Sequence, residues 1–423
     1  MTDEQILEIL RQELAPALGC TEPVAIAYAA AKARTILGAM PLKAQINVSR
    51  NILKNALGVG IPGTDMVGLE MAAALGIIGG NSDAILEVLG GVTKEDIRQA
   101  KEYAGTSVKV ALKNTSKKLY IEVILETDSD SSLVVIEDSH TNITKITHGM
   151  TVLYESGNCE ELADRGLDRK NLNVDQIYRC VTSVGIEELK FLKEAVDMNW
   201  SVAREGLEGN YGLNVGKSLM ESRKGDTLAD DIPSYAAAMA AAAADARMSG
   251  CTLPVMTICG SGNQGITAVL PVAAAVRAVG GEEELLYRSL ALSCLITIHV
   301  KQYIGKLSAL CGCGMGSSIG VCCALVYMQG GGLGQIKSAI QNMIADVSGI
   351  ICDGAKAGCA LKIGTVISSA FQCSMLALKN FSAGDLDGIV SGDVENTIRN
   401  LGELGNRGMA DTDRVILDMM VCR

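Results

Sequence analysis

The sequence predicts an α+β fold, in which a predominantly helical core carries one small antiparallel β-sheet. Helical periods and glycine turns run from about residue 160 to the end of the 423-residue chain. Between residues 106 and 149, β-branched residues alternate with polar breaks, which is typical of strands. With 48% hydrophobic residues, the chain can bury a substantial core. We expect a single unit over residues 1–423, with a small strand subdomain at about residues 104–150.

The elements are expected in a simple order along the chain. Residues 1 to about 100 are typical of helices separated by glycine turns, with one short strand at 44–48. Strands follow at 108–112, 119–125 and 134–137. After residue 160, helices are predicted for the Ala-rich run 235–246 and for the segments after Gly265, Glu282, Ser318, Gly334 and Gly364. There is no internal repeat and no linker long enough to separate independent domains.

Charge and composition exclude some classes of partner. The net charge of -11, without any cluster of Lys and Arg, argues against a nucleic-acid surface. Small molecules and copies of the chain itself are the expected partners, and we expect a homodimer. The acidic N-terminus leads directly into an amphipathic helix pattern, which differs from a secretory signal or transit peptide. The protein is therefore predicted to be cytoplasmic.

Two uncharged stretches, 248–276 and 307–336, are long enough to span a membrane. Glycine-rich segments interrupt both, at 260–265 and 312–318, and 3% aromatic residues are too few for interfacial belts. Broken helices of this kind occur in transporters, which keeps a transporter as an alternative. Buried helices of a protein that does not enter the membrane are the preferred interpretation.

Cysteine spacing is the most informative feature of the chain. Nine of the 14 cysteines lie between Cys251 and Cys359, and they include the pair Cys311 and Cys313 and the pair Cys352 and Cys359. The length of the chain argues against a disulfide scaffold, so a reducing compartment is expected and the thiols are free to hold metal. In a continuous helix the last two sulfurs would be roughly 10 Å apart, so we expect the segment to turn back at Gly354 and Gly358. The alternative is that these are buried cysteines that act as small hydrophobic residues.

Several glycine-rich turns lead directly into apolar helices. Helix N-termini offer unpaired N–H groups and a positive dipole end, which bind carboxylates. The turn with Ser261, Asn263 and Gln264 precedes one such helix, and the turn at 60–65 precedes another predicted at 66–75. Either turn can hold the carboxylate of an amino acid, or Asn263 and Thr64 can simply cap their helices.

Cys20 lies at a third helix start. Thr21 is a plausible N-cap, and Glu22 and Pro23 fit the first turn of the helix that follows. The positive end of a helix lowers the pKa of a thiol, so we expect a thiolate that serves as base, nucleophile or ligand. A buried, inert cysteine explains the local sequence nearly as well.

The histidines and the common enzyme motifs provide little further evidence for a function. His140 and His148 fall in the polar strand region and are expected to be exposed. His299 is either a proton donor near the cysteine clusters or a hydrogen-bonded core residue. No Gly-x-Ser-x-Gly nucleophile elbow is predicted between a strand and a helix, and no strand-led Gly-x-Gly-x-x-Gly is predicted, which argues against a serine hydrolase and a dinucleotide site.

Four segments together resemble the L-cysteine desulfidase family, whose catalytic region is similar to the alpha subunit of iron–sulfur L-serine dehydratases. These segments are residues 19–23, 260–265, 307–313 and 351–356, and the resemblance spans nearly the whole chain. It implies a 4Fe–4S cluster held by Cys352, Cys359 and one of Cys311 and Cys313, for which Cys313 is preferred. It also places Cys20 beside the open iron. Cys422 corresponds to a terminal cysteine that can cap that iron in the resting relatives, although Arg423 departs from the pattern; a tail cysteine without a role is the alternative.

The resemblance further implies a non-redox β-elimination. L-Cysteine gives hydrogen sulfide and 2-aminoacrylate, which hydrolyses to pyruvate and ammonia. Cys20 is expected to remove the Cα proton, and the cluster to act as a Lewis acid on the leaving sulfur. Thr21, Asn51, Ser261, Asn263 and Gln264 are the expected substrate-binding residues.

Three other functions remain open from the sequence. Dehydration of L-serine uses the same site with hydroxide as the leaving group. A non-catalytic iron–sulfur redox or iron sensor needs neither Cys20 nor the anion-binding turns. A pyridoxal phosphate lyase is suggested only by the Ser-Gly-Asn sequence at 261–263, and the helical character of the chain weighs against it.

Overall fold

The structure is a computed structural model, and it describes residues 1–64, 66–156, 169–223, 231–305 and 307–421. The described helices are α1 (Asp3–Glu13), α2 (Thr21–Leu37), α3 (Arg50–Ala56), α4 (Leu69–Gly79), α5 (Lys94–Ser107), α6 (Val174–Ser183), α7 (Leu192–Glu208), α8 (Val215–Arg223), α9 (Ile232–Met248), α10 (Gly262–Ala278), α11 (Glu283–Ile304), α12 (Ser318–Met328), α13 (Leu333–Val347), α14 (Gly358–Leu378), α15 (Val394–Glu403) and α16 (Thr412–Val421). The strands are β1 (Leu14–Leu18), β2 (Lys43–Val48), β3 (Val108–Leu112), β4 (Tyr120–Glu126), β5 (Ser131–Glu137), β6 (Ile143–His148), β7 (Thr151–Glu155) and β8 (Pro254–Ile258). The predicted α+β class, mainly helical with one small sheet, is confirmed.

The main sheet is mixed rather than purely antiparallel. Its six strands lie in the order β3-β2-β4-β5-β6-β7. The pairs from β2 to β7 are antiparallel as predicted, but β2 and β3 run parallel. Three α-helices, α3 to α5, lie between these two strands in the chain, and such a crossover returns the chain in the same direction. The sheet therefore extends beyond residues 104–150, and whether it is a separate subdomain stays a prediction.

One face of the sheet is covered by α2. The strand residues that point to this face, among them Ile46, Ile121, Val123 and Leu125, are fully buried. Alanines dominate α2, and Ala25, Ala29 and Ala33 are also buried because α4 packs against the other side of the helix. These elements share a hydrophobic core that we call the sheet core.

A larger hydrophobic core, which we call the helical core, contains α1, α6, α7 and α9 to α15. The predicted Ala-rich helix is α9, and it is buried from Ala236 to Met248. Small side chains allow neighbouring helices to approach closely, and α7 crosses α9 where Gly206 faces the carbonyl group of Ala242.

One short ladder was missed by the sequence prediction. β1 pairs antiparallel with β8, from Leu14 opposite Ile258 to Leu18 opposite Pro254. The helix pattern at the N-terminus runs through Leu14, but the chain becomes extended there. Each strand leads into a turn: residues 19–20 follow β1, and residues 259–261 follow β8.

A second difference concerns the turn at 60–65, whose helix was expected at 66–75. A bridge between Gly60 and Val67 precedes the helix, and α4 begins only at Leu69. Asp65 lies outside the described residues.

Among the described helices, one is long and apolar enough to cross a membrane by length and composition. It is α14, with a mean hydropathy of 1.4 in its most apolar 18-residue stretch. One such helix is weak evidence, since core helices of soluble proteins pass the same test, and α14 packs against α9, α12 and α13. The two stretches singled out in the sequence are interrupted as predicted, by the turn before α10 and by the π-helical turn at Cys313–Ser317 before α12. The absence of a membrane partner stays a prediction.

The sheet core and the helical core meet around the turn at Cys20. Cys20, Val59 and Met248 form a small buried cluster with Ala355 and Cys359 against it. The candidate functional residues lie at this junction.

The close crossing of α7 and α9 predicts a strong effect of a single methyl group. Gly206→Ala places Cβ against the Ala242 carbonyl, and we expect a loss of about 1–3 kcal/mol in the free energy of unfolding. Gly105→Ala, in α5 with no atom within 4 Å of the added Cβ, is the matched control and should gain about 0.4–1 kcal/mol. Urea unfolding of both variants measures the difference, and equal stabilities would contradict the packing described.

Candidate functional site

Cys20 occupies the N-cap position of α2, and Thr21 is the first helical residue. The Cys20 side chain makes no capping hydrogen bond. The prediction that Thr21 is the N-cap is therefore wrong by one residue, whereas the location of Cys20 at a helix start is confirmed. Both residues are buried.

The carboxylate of Glu22 organises this helix start. Its Oε2 accepts hydrogen bonds from the Cys20 thiol at 3.0 Å and from the Thr21 hydroxyl at 3.2 Å. Its Oε1 accepts from Nδ2 of Asn55 at 2.9 Å. Burial raises the pKa of Glu22, but the charge of His140 and the hydrogen bonds from Cys20 and Asn55 outweigh it and hold the pKa below its ordinary value.

The expected thiolate at Cys20 is not what the structure favours. Complete burial, followed by the neighbouring negative charge of Glu22, raises the pKa of Cys20 well above its ordinary value, although Arg247 opposes the shift. Desolvation of a charge outweighs the helix dipole here. Cys20 therefore rests as a thiol that donates to Glu22, and its role as a base stays a prediction.

His140 lies at this site, which contradicts the prediction that it is exposed. Its side chain is only 11% exposed, and its Nε2 lies 4.0 Å from Oε1 of Glu22. His140 belongs to the turn between β5 and β6, so the sheet brings it over the start of α2. A Cβ atom at Gly260 would lie 3.6 Å from Nδ1 of His140, which connects the same side chain to the turn after β8. His148 is half-exposed and pairs with Asp130 at 2.7 Å.

The two cysteine pairs are brought together by a short antiparallel bridge between Leu310 and Ile351. The N–H of Cys311 donates to the carbonyl of Ile350, and the N–H of Cys352 donates to the carbonyl of Ala309. The chain then turns at Gly354, with φ of +98°, and approaches the backbone of Lys54 so closely that a Cβ atom would not fit. This is the predicted turn-back, and it places Cys359 at the start of α14. We call Cys311, Cys313, Cys352 and Cys359 the four-thiol group.

The four-thiol group shares one buried electrostatic environment. A hydrogen bond with Cys313 lowers the pKa of Cys311 to about 6, and the same contact, with burial, raises the pKa of Cys313 well above its ordinary value. Burial raises the pKa of Cys352, against the charge of Lys54, and raises that of Cys359 to about 12.

Three ammonium groups surround these thiols. Nζ of Lys54 donates to the carbonyl of Cys352 at 2.8 Å. Lys362 acts on Cys311 and Cys359 and pairs with Asp353. Burial lowers the pKa of Lys301, which interacts electrostatically with Cys352, Cys313 and Cys311. Their positive charges favour the thiolate forms that bind metal.

Within the described ranges, no three His, Cys, Asp or Glu side chains converge closely enough to hold a single metal ion. A zinc ion needs sulfurs about 2.3 Å from one point. A 4Fe–4S cluster is held instead by cysteine thiolates on separate irons, so its ligands are spread over a larger volume. The four thiols lie in one buried neighbourhood, since the charge of Cys311 raises the pKa of both Cys352 and Cys359.

The turn before α10 faces the same junction. Ser261 is the N-cap of α10 and makes no side-chain capping bond, so the alternative in which Asn263 only caps this helix is not what the structure shows. Oδ1 of Asn263 accepts from Nη1 of Arg247 at 2.9 Å, and Nε of Arg247 donates to the carbonyl of Gly19 at 3.1 Å. The buried Arg247 thereby ties the turn at Cys20 to the turn at Ser261.

Gln264 links this turn to the cysteines. Its side chain is buried, and a Cβ atom at Gly312 would lie 2.9 Å from its amide, so the amide packs against the backbone between Cys311 and Cys313. Among the described residues, Oε1 of Gln264 has no hydrogen-bond partner. A buried acceptor without a donor is costly, which indicates a place for a ligand N–H group.

Asn51 and Lys54 of α3 already hold a carboxylate. Nδ2 of Asn51 donates to Oδ2 of Asp413 at 2.6 Å, and Nζ of Lys54 contacts Oδ1 of the same carboxylate at 2.6 Å. Asp413 lies in the first turn of α16. The structure thus gives Asn51 a partner within the chain, and its expected contact with substrate stays a prediction.

Two other expectations concern His299 and the C-terminal Cys422. His299 is a buried core residue, whose Nε2 lies 2.8 Å from Oε2 of Glu395 and whose ring packs edge-on against Tyr303. Cys422 and Arg423 lie outside the described residues, so the expectation of a capping tail stays open.

Several site residues were missed in the sequence. Glu22 was noted only as a first-turn residue, and Lys54, Arg247, Lys301 and Asp413 were not singled out. Arg247 and Lys301 carried a usable signal, since each is a charge within a long apolar helix pattern. Asp413 is about 360 residues from its partners and left no local signal.

Comparison with known proteins places the chain among relatives that span it almost completely. A sequence model of the family described as the serine dehydratase alpha chain matches residues 83–418. A UPF0597 protein of Clostridium perfringens is 43% identical over 419 residues, 99% of this chain and 98% of the relative. UPF0597 proteins of Bacteroides thetaiotaomicron and Aeromonas hydrophila are 41% and 42% identical, over 99% and 98% of this chain and 97% and 95% of theirs. The family match includes the four-thiol group, and the relatives also cover the turn at Cys20.

The buried contact of Lys54 with Asp413 predicts a large loss on removal of one charge. Lys54→Met leaves the Asp413 carboxylate without its cation, and we expect destabilisation of about 3 kcal/mol. Lys337→Met removes a half-exposed cation from Asp175 and serves as the control, with a loss below about 1 kcal/mol. Denaturant unfolding checks both, and the double variant Lys54→Met/Asp413→Leu should regain part of the loss. A Lys54→Met protein as stable as the control would contradict the importance of this contact.

Proposed function

Because the chain belongs to the serine dehydratase alpha chain family, we propose that it is an iron–sulfur-dependent lyase that catalyses β-elimination from a small L-amino acid. We propose L-cysteine as the substrate, with hydrogen sulfide, pyruvate and ammonia as the products. The protein is then an L-cysteine desulfidase that acts as a cytoplasmic homodimer.

One observation carries this proposal. A buried thiol and a buried carboxylate, Cys20 and Glu22, lie in contact beside the four-thiol group, and the charge of Glu22 affects the pKa of Cys352. A non-catalytic sensor has no use for such a proton-transfer pair next to its metal. The arrangement therefore favours chemistry on a bound molecule.

The donor set fits a 4Fe–4S cluster. Cys313, Cys352 and Cys359 would supply three thiolates, which leaves one iron open, and the ammonium groups of Lys54, Lys301 and Lys362 would balance the negative charge of the thiolates. When bound, such a cluster supplies a Lewis acid that stabilises negative charge on the leaving sulfur.

The chain's own residues offer matching groups for the substrate. The uncapped first turn of α10, at Ser261 to Asn263, presents N–H groups that suit the substrate carboxylate. The side chain of Asn263 is engaged by Arg247, so its backbone is the part available for binding. The free Oε1 of Gln264 suits the substrate ammonium group. These contacts orient the amino acid so that its β-substituent faces the four-thiol group, and Cys20 is the residue assigned to take the Cα proton, with Thr21 beside it.

L-Serine is the second candidate substrate, because the matching family is described as the serine dehydratase alpha chain. The same residues would hold it, and water would leave instead of hydrogen sulfide. Sulfide release from L-cysteine and pyruvate release from L-serine, measured on anaerobically purified protein, decide between the two substrates. Activity with neither would refute the proposed function.

Iron content tests the ligand assignment. Anaerobically purified protein should contain about four irons per chain, the content of a cubane, and Cys352→Ala and Cys359→Ala should abolish the iron and the brown colour. Cys373→Ala, in α14 with its thiol toward Asp346, is the control and should keep the iron. A colourless, iron-free protein that eliminates sulfide would contradict the mechanism.

The choice between the two neighbouring cysteines has its own test. We expect Cys313→Ala to lose iron and Cys311→Ala to keep it, whereas Cys20→Ala should keep iron and lose at least about 100-fold in kcat. Iron analysis alongside the sulfide assay separates the three variants. Loss of iron from Cys20→Ala would make Cys20 a fourth ligand and require a different base.

A further inference from the structure

The resting state of Cys20 raises a chemical difficulty for the proposed reaction. A thiolate is a far stronger base than a thiol, but Cys20 is a buried thiol whose proton is donated to Glu22. The contact that holds this proton also offers an acceptor for it. We propose that Glu22 is the proton acceptor behind Cys20, and that His140 keeps Glu22 ionised. This inference rests on the proposed β-elimination.

The two oxygens of Glu22 have different neighbours. Oε2 faces the Cys20 thiol at 3.0 Å and the Thr21 hydroxyl at 3.2 Å. Oε1 faces Nδ2 of Asn55 at 2.9 Å and Nε2 of His140 at 4.0 Å. One oxygen therefore receives the proton, while the groups on the other oxygen stabilise the charged carboxylate.

Charged and polar groups reach Glu22 and Cys20 from several elements. His140 approaches from the turn between β5 and β6, and the polar amide of Asn55 from the end of α3. Cys352 acts from the segment before α14, and Arg247 of α9 acts on Cys20. His140 is the group with positive character nearest to the carboxylate, so its removal should affect Glu22 most directly.

The proposed step balances without another reactant. The Cα–H bond breaks, and its proton goes to Sγ of Cys20 as the thiol proton passes to Oε2 of Glu22. The Cα–H electron pair forms the Cα–Cβ double bond, and the Cβ–S bond breaks with its pair going to sulfur. The departing hydrosulfide takes up the proton held on Glu22, which gives hydrogen sulfide and 2-aminoacrylate. With L-serine the departing hydroxide gives water in the same way.

Glu22 acts through Cys20 and is thus a positioning residue in this scheme. Glu22→Gln keeps the shape and the hydrogen bonds from Asn55 but cannot accept a proton at neutral pH. We expect kcat to fall at least about 100-fold while KM changes far less, and Glu22→Asp to recover part of kcat. Glu122→Gln is the matched control, because Glu122 is another buried glutamate, bonded to Asn47 and Lys113 on the sheet, and should keep its kcat. Wild-type kcat in Glu22→Gln would overturn the inference.

His140→Gln tests the second part through the pH profile. If His140 stabilises the ionised carboxylate, its loss makes Glu22 easier to protonate, so the acidic limb of kcat/KM moves to higher pH. His148→Gln, which removes a half-exposed histidine of the same sheet, should leave the limb in place. An unchanged limb in His140→Gln would exclude His140 from this role.

The thiol itself provides a readout that does not depend on turnover. Trypsin releases residues 12–32 as a peptide with Cys20 as its single cysteine, so mass spectrometry reports the alkylation rate of Cys20 alone. In Glu22→Gln, loss of the negative charge beside the thiol should lower the pH midpoint of Cys20 alkylation. The alkylation rate of Cys20 at pH 8 should rise at least about tenfold over the wild-type rate. A looser structure would raise the rate at every pH without moving the midpoint. An unmoved midpoint would overturn the inference, whereas a wild-type protein that eliminates neither substrate would refute only the proposed function.

Discussion

The structure depends on a constraint at the junction of the sheet core and the helical core, where buried charges must find partners. Removing a charge from water is costly unless opposite charge or hydrogen bonds replace the solvent. Glu22 is satisfied by Cys20, Thr21 and Asn55, and Arg247 by Gly19 and Asn263. Two of these contacts, Glu22 with Asn55 and Arg247 with Gly19, join segments that are distant in the chain. The partners that these buried charges require therefore fix the positions of the joined segments relative to one another.

The same constraint shapes the chemistry of the site. Burial raises the pKa of Cys20, and the carboxylate of Glu22 adds to this shift, whereas the ammonium groups of Lys54 and Lys362 oppose the effect of burial at Cys352 and Cys359. Thiols within one junction thus differ in their readiness to ionise. In the proposed mechanism, the thiols that hold metal and the thiol that transfers a proton differ in the charges next to each sulfur.

Local patterns predicted much of the fold and part of the site. The strands at 44–48 and 108–112, the broken apolar stretches and the turn at Gly354 depend on side-chain periodicity and backbone sterics that a short window contains. The predictions that proved wrong depend on distant partners. β3 pairs parallel with β2 after a crossover that contains α3 to α5, and His140 lies against Glu22 and the turn at Gly260, both distant in the chain. The helix dipole favours a thiolate at Cys20, but burial, which the sequence does not report, raises the pKa of this thiol.

The sequence by itself determined most of the helices, the strands β2 to β5 and the kinds of chemical group available, because spacing, glycine turns and residue type act within a few residues. It also determined that thiols would be clustered in two segments. Only the tertiary structure decided which groups face one another: the bridge between Leu310 and Ile351, the approach of His140 to Glu22, and the contact of Asp413 with Asn51 and Lys54. Electrostatic interaction and desolvation depend on distances in space, and those distances exist only after the two cores have packed together.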